Sequence, residues 1–198
     1  MATDYILKKS IFLHVPKTGG SWVKAVLLQS TDLVVERGGN WHSIPEGKAY
    51  PGKFRFAFVR HPLTWYQSFW AFNMKLNKWN KGPCRSLGSC KSPDFNVFVS
   101  NVVGKFPKGF LSSYLYPKFT GAANFVGRYE NLTEDLILAL TKAKETFDPE
   151  KIRAMSSYKR NVAASDDAWK DKCRYRDELS ERLLKAEQKV VERYYNGR

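Results

Sequence analysis

The chain is short of cysteine, of acidic side chains and of long apolar runs. It has three cysteines in 198 residues, too few for a disulfide framework. Cys84 and Cys90 flank a Gly- and Ser-rich stretch at 83–93. A small loop closed by these two is one reading, and free thiols are expected ahead of it. Two cysteines with no histidine nearby make a poor zinc site. No apolar run is long enough for a signal peptide or a membrane-spanning helix, so no membrane span is expected. Asp and Glu number 19 against 33 Lys and Arg, a net charge of +14. That imbalance asks for an anionic partner, such as a nucleic acid, an acidic membrane, a polyanionic glycan or a phosphorylated cofactor.

What is present suits a globular α/β chain. Hydrophobic residues make up 43% and aromatic ones 15%, enough for a sizeable core in one domain spanning 1–198. Strand patterns are expected at about 10–15, 33–36, 54–60 and 124–129. Helical patterns are expected at about 20–30, 62–76, 94–103, 131–146 and 176–195. Residues 37–53 and 77–93 read as loops, and no internal repeat is visible. Alternating strands and helices argue for a parallel sheet covered on both faces.

Two runs carry chemistry. The first is Ile-Phe-Leu-His-Val-Pro-Lys-Thr-Gly-Gly-Ser-Trp at 11–22. An apolar strand enters a turn with a lysine, a hydroxyl residue and two glycines, and a helix follows. Glycines let the backbone approach an anion, and the first amides of a helix have no partner inside it. Lys17 adds charge, and Thr18 and Ser21 add hydroxyl donors. The spacing is not that of a Walker A loop, because the lysine precedes the glycines.

The second run is Phe-Arg-Phe-Ala-Phe-Val-Arg-His-Pro-Leu-Thr-Trp-Tyr-Gln-Ser-Phe-Trp at 54–70. Arg60 ends a strand, where open α/β sheets place ligand groups. Pro62 suits the first position of a helix. Ser68 would lie about two turns along it, roughly 9 Å at the helical rise. A guanidinium fork suits a phosphate, and a serine hydroxyl can complete the contact.

Together the two runs resemble the sulfotransferases that use 3′-phosphoadenosine 5′-phosphosulfate (PAPS). The form His-Val-Pro-Lys-Thr-Gly-Gly-Ser-Trp looks most like the carbohydrate-modifying branch. The resemblance covers about 30 residues, and their order and separation match. It implies a P-loop-NTPase-like three-layer α/β fold with a central parallel sheet flanked by helices. It assigns Lys17, Thr18, Gly19, Gly20, Ser21 and Trp22 to the 5′-phosphosulfate, and Arg60 and Ser68 to the 3′-phosphate. The run Phe-Val-Gly-Arg-Tyr-Glu-Asn-Leu at 125–132 also resembles a late strand of the family, with Glu130 read as a structural carboxylate. A late basic loop closes over the cofactor in the family, and Lys159, Arg160 and Asn161 match that part.

The implied reaction moves a sulfuryl group from PAPS to an acceptor hydroxyl by in-line displacement. Lys17 stabilises charge on the leaving 3′,5′-ADP, and no metal is required. His42 is the expected general base, as the resemblance puts a histidine in this region and an imidazole suits base work near neutrality. Glu36 and Glu46 are the fallbacks. His14 and His61 read as structural. Of Trp65, Trp70, Phe72, Trp79 and Trp169, most are assigned to packing rather than to a sugar-stacking groove. The acceptor is expected to be a glycan, and the charge excess extends the anionic chemistry to it. Nucleic acid is not an expected partner. Family members of the Golgi carry a membrane anchor, so this chain reads as a cytoplasmic enzyme or a trimmed domain. Two alternatives stay open: a nucleotide-dependent phosphotransferase on a related fold, and a non-enzymatic polyanion-binding protein.

Overall fold

Short apolar runs alternating with helical ones give a mixed α/β structure with one five-stranded sheet. The computed structural model describes residues 4–38, 50–157, 169 and 172–196. The strands are β1 (Asp4–Leu7), β2 (Ser10–Leu13), β3 (Val34–Gly38), β4 (Phe54–Val59) and β5 (Phe125–Arg128). The helices are α1 (Gly20–Gln29), α2 (Pro62–Leu76), α3 (Phe95–Lys105), α4 (Tyr116–Thr120), α5 (Leu132–Lys142), α6 (Pro149–Ala154), α7 (Asp177–Ala186) and α8 (Gln188–Tyr194). A 3₁₀ run covers Gly82–Cys90, and a π-helical turn, Leu111–Leu115, precedes α4. The chain divides into two compact units, Met1–Val59 with Lys118–Val162 and Arg60–Pro117 with Ala163–Arg198.

The first unit holds the whole sheet, in the order β3-β1-β2-β4-β5. β2, β4 and β5 run parallel, whereas β1 is antiparallel to both β2 and β3. The sheet is therefore mixed, not parallel throughout as the sequence suggests. The reason is the linker. Only Lys8 and Lys9 separate β1 from β2, and a parallel pair needs a crossover of a dozen residues or more.

Register aligns Phe12, Phe56 and Phe125 across the three parallel strands. The rings of Phe12 and Phe56 stack at 5.5 Å. Val23, Val26 and Leu27 of α1 and Leu136, Ala139 and Leu140 of α5 join them in one buried cluster. Each large apolar side chain so buried contributes about 1.5–3 kcal/mol. The expected helix at 131–146 stops at Lys142. Lys144 turns left-handed (φ 57°), a conformation common just past a helix end.

The second unit is built on α2. Trp65, Tyr66, Phe69 and Trp70 recur at helical spacing on one face and are buried. Trp65 stacks on Phe69 at 5.1 Å, and Phe98 of α3 packs on Phe69 at 6.2 Å. The Trp70 indole donates to the Ser92 carbonyl at 2.9 Å. Asp94 caps α3, accepting from the amides of Asn96 and Val97.

The amphipathic pattern at 176–195 predicts one helix, and the structure has two. Glu187 separates α7 from α8 with its backbone off the helical values (φ −95°, ψ 16°). Its carboxylate is fully buried. Oε1 accepts from the Tyr66 hydroxyl at 2.6 Å and the Leu111 amide at 2.9 Å. Oε2 accepts from the Ser112 amide and hydroxyl, each at 2.8 Å. Four donors offset the cost of removing the carboxylate from water. A Cβ on Gly109 would lie 2.3 Å from Oε2, so that position admits only glycine.

Glu187→Ala should lower unfolding stability by about 3 kcal/mol or more, because it strands buried donors. Glu187→Gln should cost less, and denaturant titration of the two variants checks the order. Burial beside Glu187 holds the Tyr66 phenol well above its ordinary range, and burial does the same for Tyr175. The folded chain therefore keeps protons that the unfolded chain releases above about pH 10. Stability should be intact below that pH and decline above it, with a smaller slope in Tyr175→Phe when unfolding is followed against pH.

Candidate anion-binding site

The turn between β2 and α1 is wound tightly. Lys17 has φ 66°, left-handed for a residue with a side chain. Among the described residues the other two of this kind, Asn77 and Lys144, follow helix ends, where this conformation is ordinary. Lys17 lies instead between a strand and a helix, and strained backbone of this kind gathers at functional sites. Gly19 (φ 87°) precedes α1, and its carbonyl accepts from the Trp22 and Val23 amides at 2.9 and 3.2 Å. The amides of Gly20 and Ser21 open the helix, where no helical carbonyl reaches them.

Both glycines are required by contact. A Cβ on Gly20 would lie 2.0 Å from the His14 ring, and one on Gly19 would lie 2.5 Å from Leu132. Thr18 is fully buried and its hydroxyl donates to the Val15 carbonyl at 2.9 Å. It closes the turn. The Trp22 indole donates to the Met155 carbonyl at 2.9 Å, which fixes α1 to the end of α6. Ser21 is exposed and Lys17 half-buried. Thr18 and Trp22 thus shape the turn, while Lys17, Ser21 and the first amides of α1 form the donor set suited to an anion.

Arg128 ends β5, whose pairing with β4 sets it opposite Val59. Its amide donates to Asp135 at 2.6 Å, and the Asn131 side-chain amide donates to the same carboxylate at 2.9 Å. Its Nε is buried and has no hydrogen-bond partner among the described residues. The strand pattern places this arginine but gives it no role. A buried guanidinium atom without a partner is unusual enough to mark it as a further basic group at that strand end.

In the second unit Arg60 precedes α2, with His61 at the cap and Pro62 at the first helical position. The Arg60 amide donates to the Tyr116 hydroxyl at 3.0 Å, and that hydroxyl donates to the Arg60 carbonyl at 2.7 Å. The guanidinium Nε donates to the Thr64 hydroxyl at 3.0 Å, which donates to the His61 carbonyl at 3.1 Å. Ser68 is half-buried on α2. The second sequence motif singled out Arg60 and Ser68, but not Tyr116, which is 56 positions from Arg60 in the chain.

His61 packs edge-on against Tyr195 at 5.1 Å, and His14 packs near Phe12 at 5.8 Å. Glu36 accepts from the Tyr50 hydroxyl at 2.9 Å. Glu130 is exposed in the 3₁₀ turn Tyr129–Asn131. Trp65, Trp70 and Trp79 are buried and Phe72 is exposed. All three cysteines are buried, and burial pushes the Cys90 thiol up, away from reactivity. His42, Glu46, Lys159, Arg160 and Asn161 lie outside the described residues. A cleft of about 410 Å³ lies by Leu27, Leu28, Thr31 and Asp32, at the far end of α1 from the turn. Its charged lining residues, Asp32 and Glu36, suit an anion poorly.

Comparison with family models, curated proteins and solved structures finds no match. Among the described residues no helix is long and apolar enough to cross a membrane.

Gly20→Ala should be more damaging than an ordinary surface substitution, because the added methyl meets the His14 ring. A loss of about 1–3 kcal/mol is expected from overpacking. Thermal unfolding of Gly20→Ala alone and with His14→Ala checks the cause, since removing the ring should recover most of the loss.

Proposed function

We propose that this chain is a PAPS-dependent sulfotransferase acting on an acceptor hydroxyl, with a glycan as the preferred acceptor class. The observation that carries the reading is the left-handed Lys17 in a glycine turn between a buried parallel strand and the first amides of α1. The donor set fits a phosphosulfate: one ammonium, an exposed serine hydroxyl and helix-opening amides. The same proposal takes the mixed α/β fold to be P-loop-like and three-layered. The parallel trio β2, β4 and β5 supports this, with the turn at the carboxyl end of β2.

PAPS supplies the activated sulfuryl group. The acceptor oxygen forms the new S–O bond as the bond to the bridging oxygen of 3′,5′-ADP breaks. Lys17 stabilises the charge left on that oxygen. Arg60 and Ser68 bind the 3′-phosphate, and His42 takes the acceptor proton. Lys159, Arg160 and Asn161 cover the cofactor. Cytoplasmic catalysis without a metal belongs to the same reading, and the net charge of +14 favours an acidic acceptor.

Calorimetry with 3′,5′-ADP and 5′-AMP tests this. The bisphosphate should bind the more tightly. Arg60→Ala should remove about 10–100-fold of affinity for it, the worth of a charge-assisted contact, while sparing 5′-AMP. Lys17→Ala should weaken both. Equal binding of both nucleotides with a magnesium requirement would instead favour a phosphotransferase. Salt-sensitive polyanion binding with no response to either nucleotide would favour a binding protein.

A further inference from the structure

The Arg60 backbone lies at the junction between β4 and α2. Residue 60 follows the last residue of β4, and α2 takes its first capping bond from the His61 carbonyl, not from Arg60. One hydroxyl engages both its amide and its carbonyl. Tyr116 accepts from the Arg60 amide and donates to the Arg60 carbonyl, and so sets the orientation of both peptide planes. A phenylalanine would fill the same buried volume and take the hydroxyl away from both groups. Tyr116 is 1% exposed, so water does not readily replace the lost hydroxyl.

The guanidinium has a second hold. Its Nε donates to Thr64, one turn into α2, and the Thr64 hydroxyl is itself oriented by the His61 carbonyl. Holding Nε sets the plane of the fork and reduces the rotamer freedom a ligand contact must otherwise overcome. Tyr116 is anchored in turn. It follows the π-helical turn Leu111–Leu115, whose first two amides are bound by the buried Glu187 carboxylate. Glu187 also receives the hydroxyl of Tyr66, two residues before Ser68 on α2. One carboxylate therefore fixes both the helix that carries Ser68 and the turn that delivers Tyr116. Wide turns of this kind recur at functional sites.

We propose that Tyr116 and Thr64 are positioning residues that aim the Arg60 guanidinium at a ligand phosphate, Tyr116 through the backbone and Thr64 through Nε. The identity of that phosphate as the 3′-phosphate of the cofactor rests on the sulfotransferase reading.

The test is the ratio of 3′,5′-ADP to 5′-AMP affinity, measured by calorimetry in wild type, Tyr116→Phe, Thr64→Val and Thr64→Ser. In Tyr116→Phe and Thr64→Val the ratio should fall about tenfold, the worth of one or two lost hydrogen bonds, with 5′-AMP affinity unchanged. Thr64→Ser keeps the hydroxyl and should keep the ratio. Tyr116 is buried, so if its variant does not fold, the Thr64 pair decides alone. Wild-type discrimination retained in the folded Tyr116→Phe and Thr64→Val proteins overturns the positioning role and leaves the cofactor reading standing. Equal weakening of both nucleotides reduces the two residues to structural ones. A wild-type chain that binds the two nucleotides alike overturns the cofactor reading, and the assignment of a 3′-phosphate to Arg60 goes with it.

Discussion

The backbone of residues 17–20 has almost no freedom, and the first unit is arranged around that fact. Lys17 and Gly19 are left-handed, and the space beside Gly20 is filled by the His14 ring. Such a turn persists only if its surroundings over-determine it. They do. The buried β2 delivers the chain, the Thr18 hydroxyl closes the turn on Val15, and Leu132 and Tyr129 crowd Gly19. Trp22 then fixes the departing helix to Met155. The turn that carries Lys17 is held by neutral packing around Thr18, Gly19 and Gly20.

The second unit follows a different logic, with a buried carboxylate as its hub. Glu187 breaks what its sequence pattern makes one long helix, and four donors from α2 and the π-helical turn converge on it. A fully desolvated carboxylate is stable only with its oxygens satisfied, so these elements are tied to one geometry. Aromatic packing on α2 supplies bulk, and the carboxylate supplies direction. Arg60 lies at the end of that chain of contacts, through Tyr116.

Charge gives the two units a common theme. Lys17 and Arg128 in one, and Arg60 in the other, follow or end strands of the parallel trio. Asp135 satisfies the Arg128 backbone, and Thr64 engages Nε of Arg60. In both arginines a neutral or backbone contact orients the residue.

The sequence by itself determined the elements whose cause is local. Apolar runs fixed β2, β4 and β5. Pro62 and the aromatic spacing fixed α2, and Ser92 or Asp94 marked the start of α3, with the structure choosing Asp94 as its cap. The glycine turn was legible because lysine, hydroxyl and glycine at that spacing have few other uses. Tertiary structure decided what depends on distant partners. β1 is short, and its identity comes from pairing with β2 and β3. Glu187 looks like a solvated residue of an amphipathic helix until the donors at 66, 111 and 112 fold around it. Tyr116 and Thr64 look like packing and helix surface until Arg60 arrives beside them. Periodicity reports which face of an element is buried. It carries no information about which polar atom across the fold satisfies another, and that long-range matching of donors and acceptors is what only the folded chain decides.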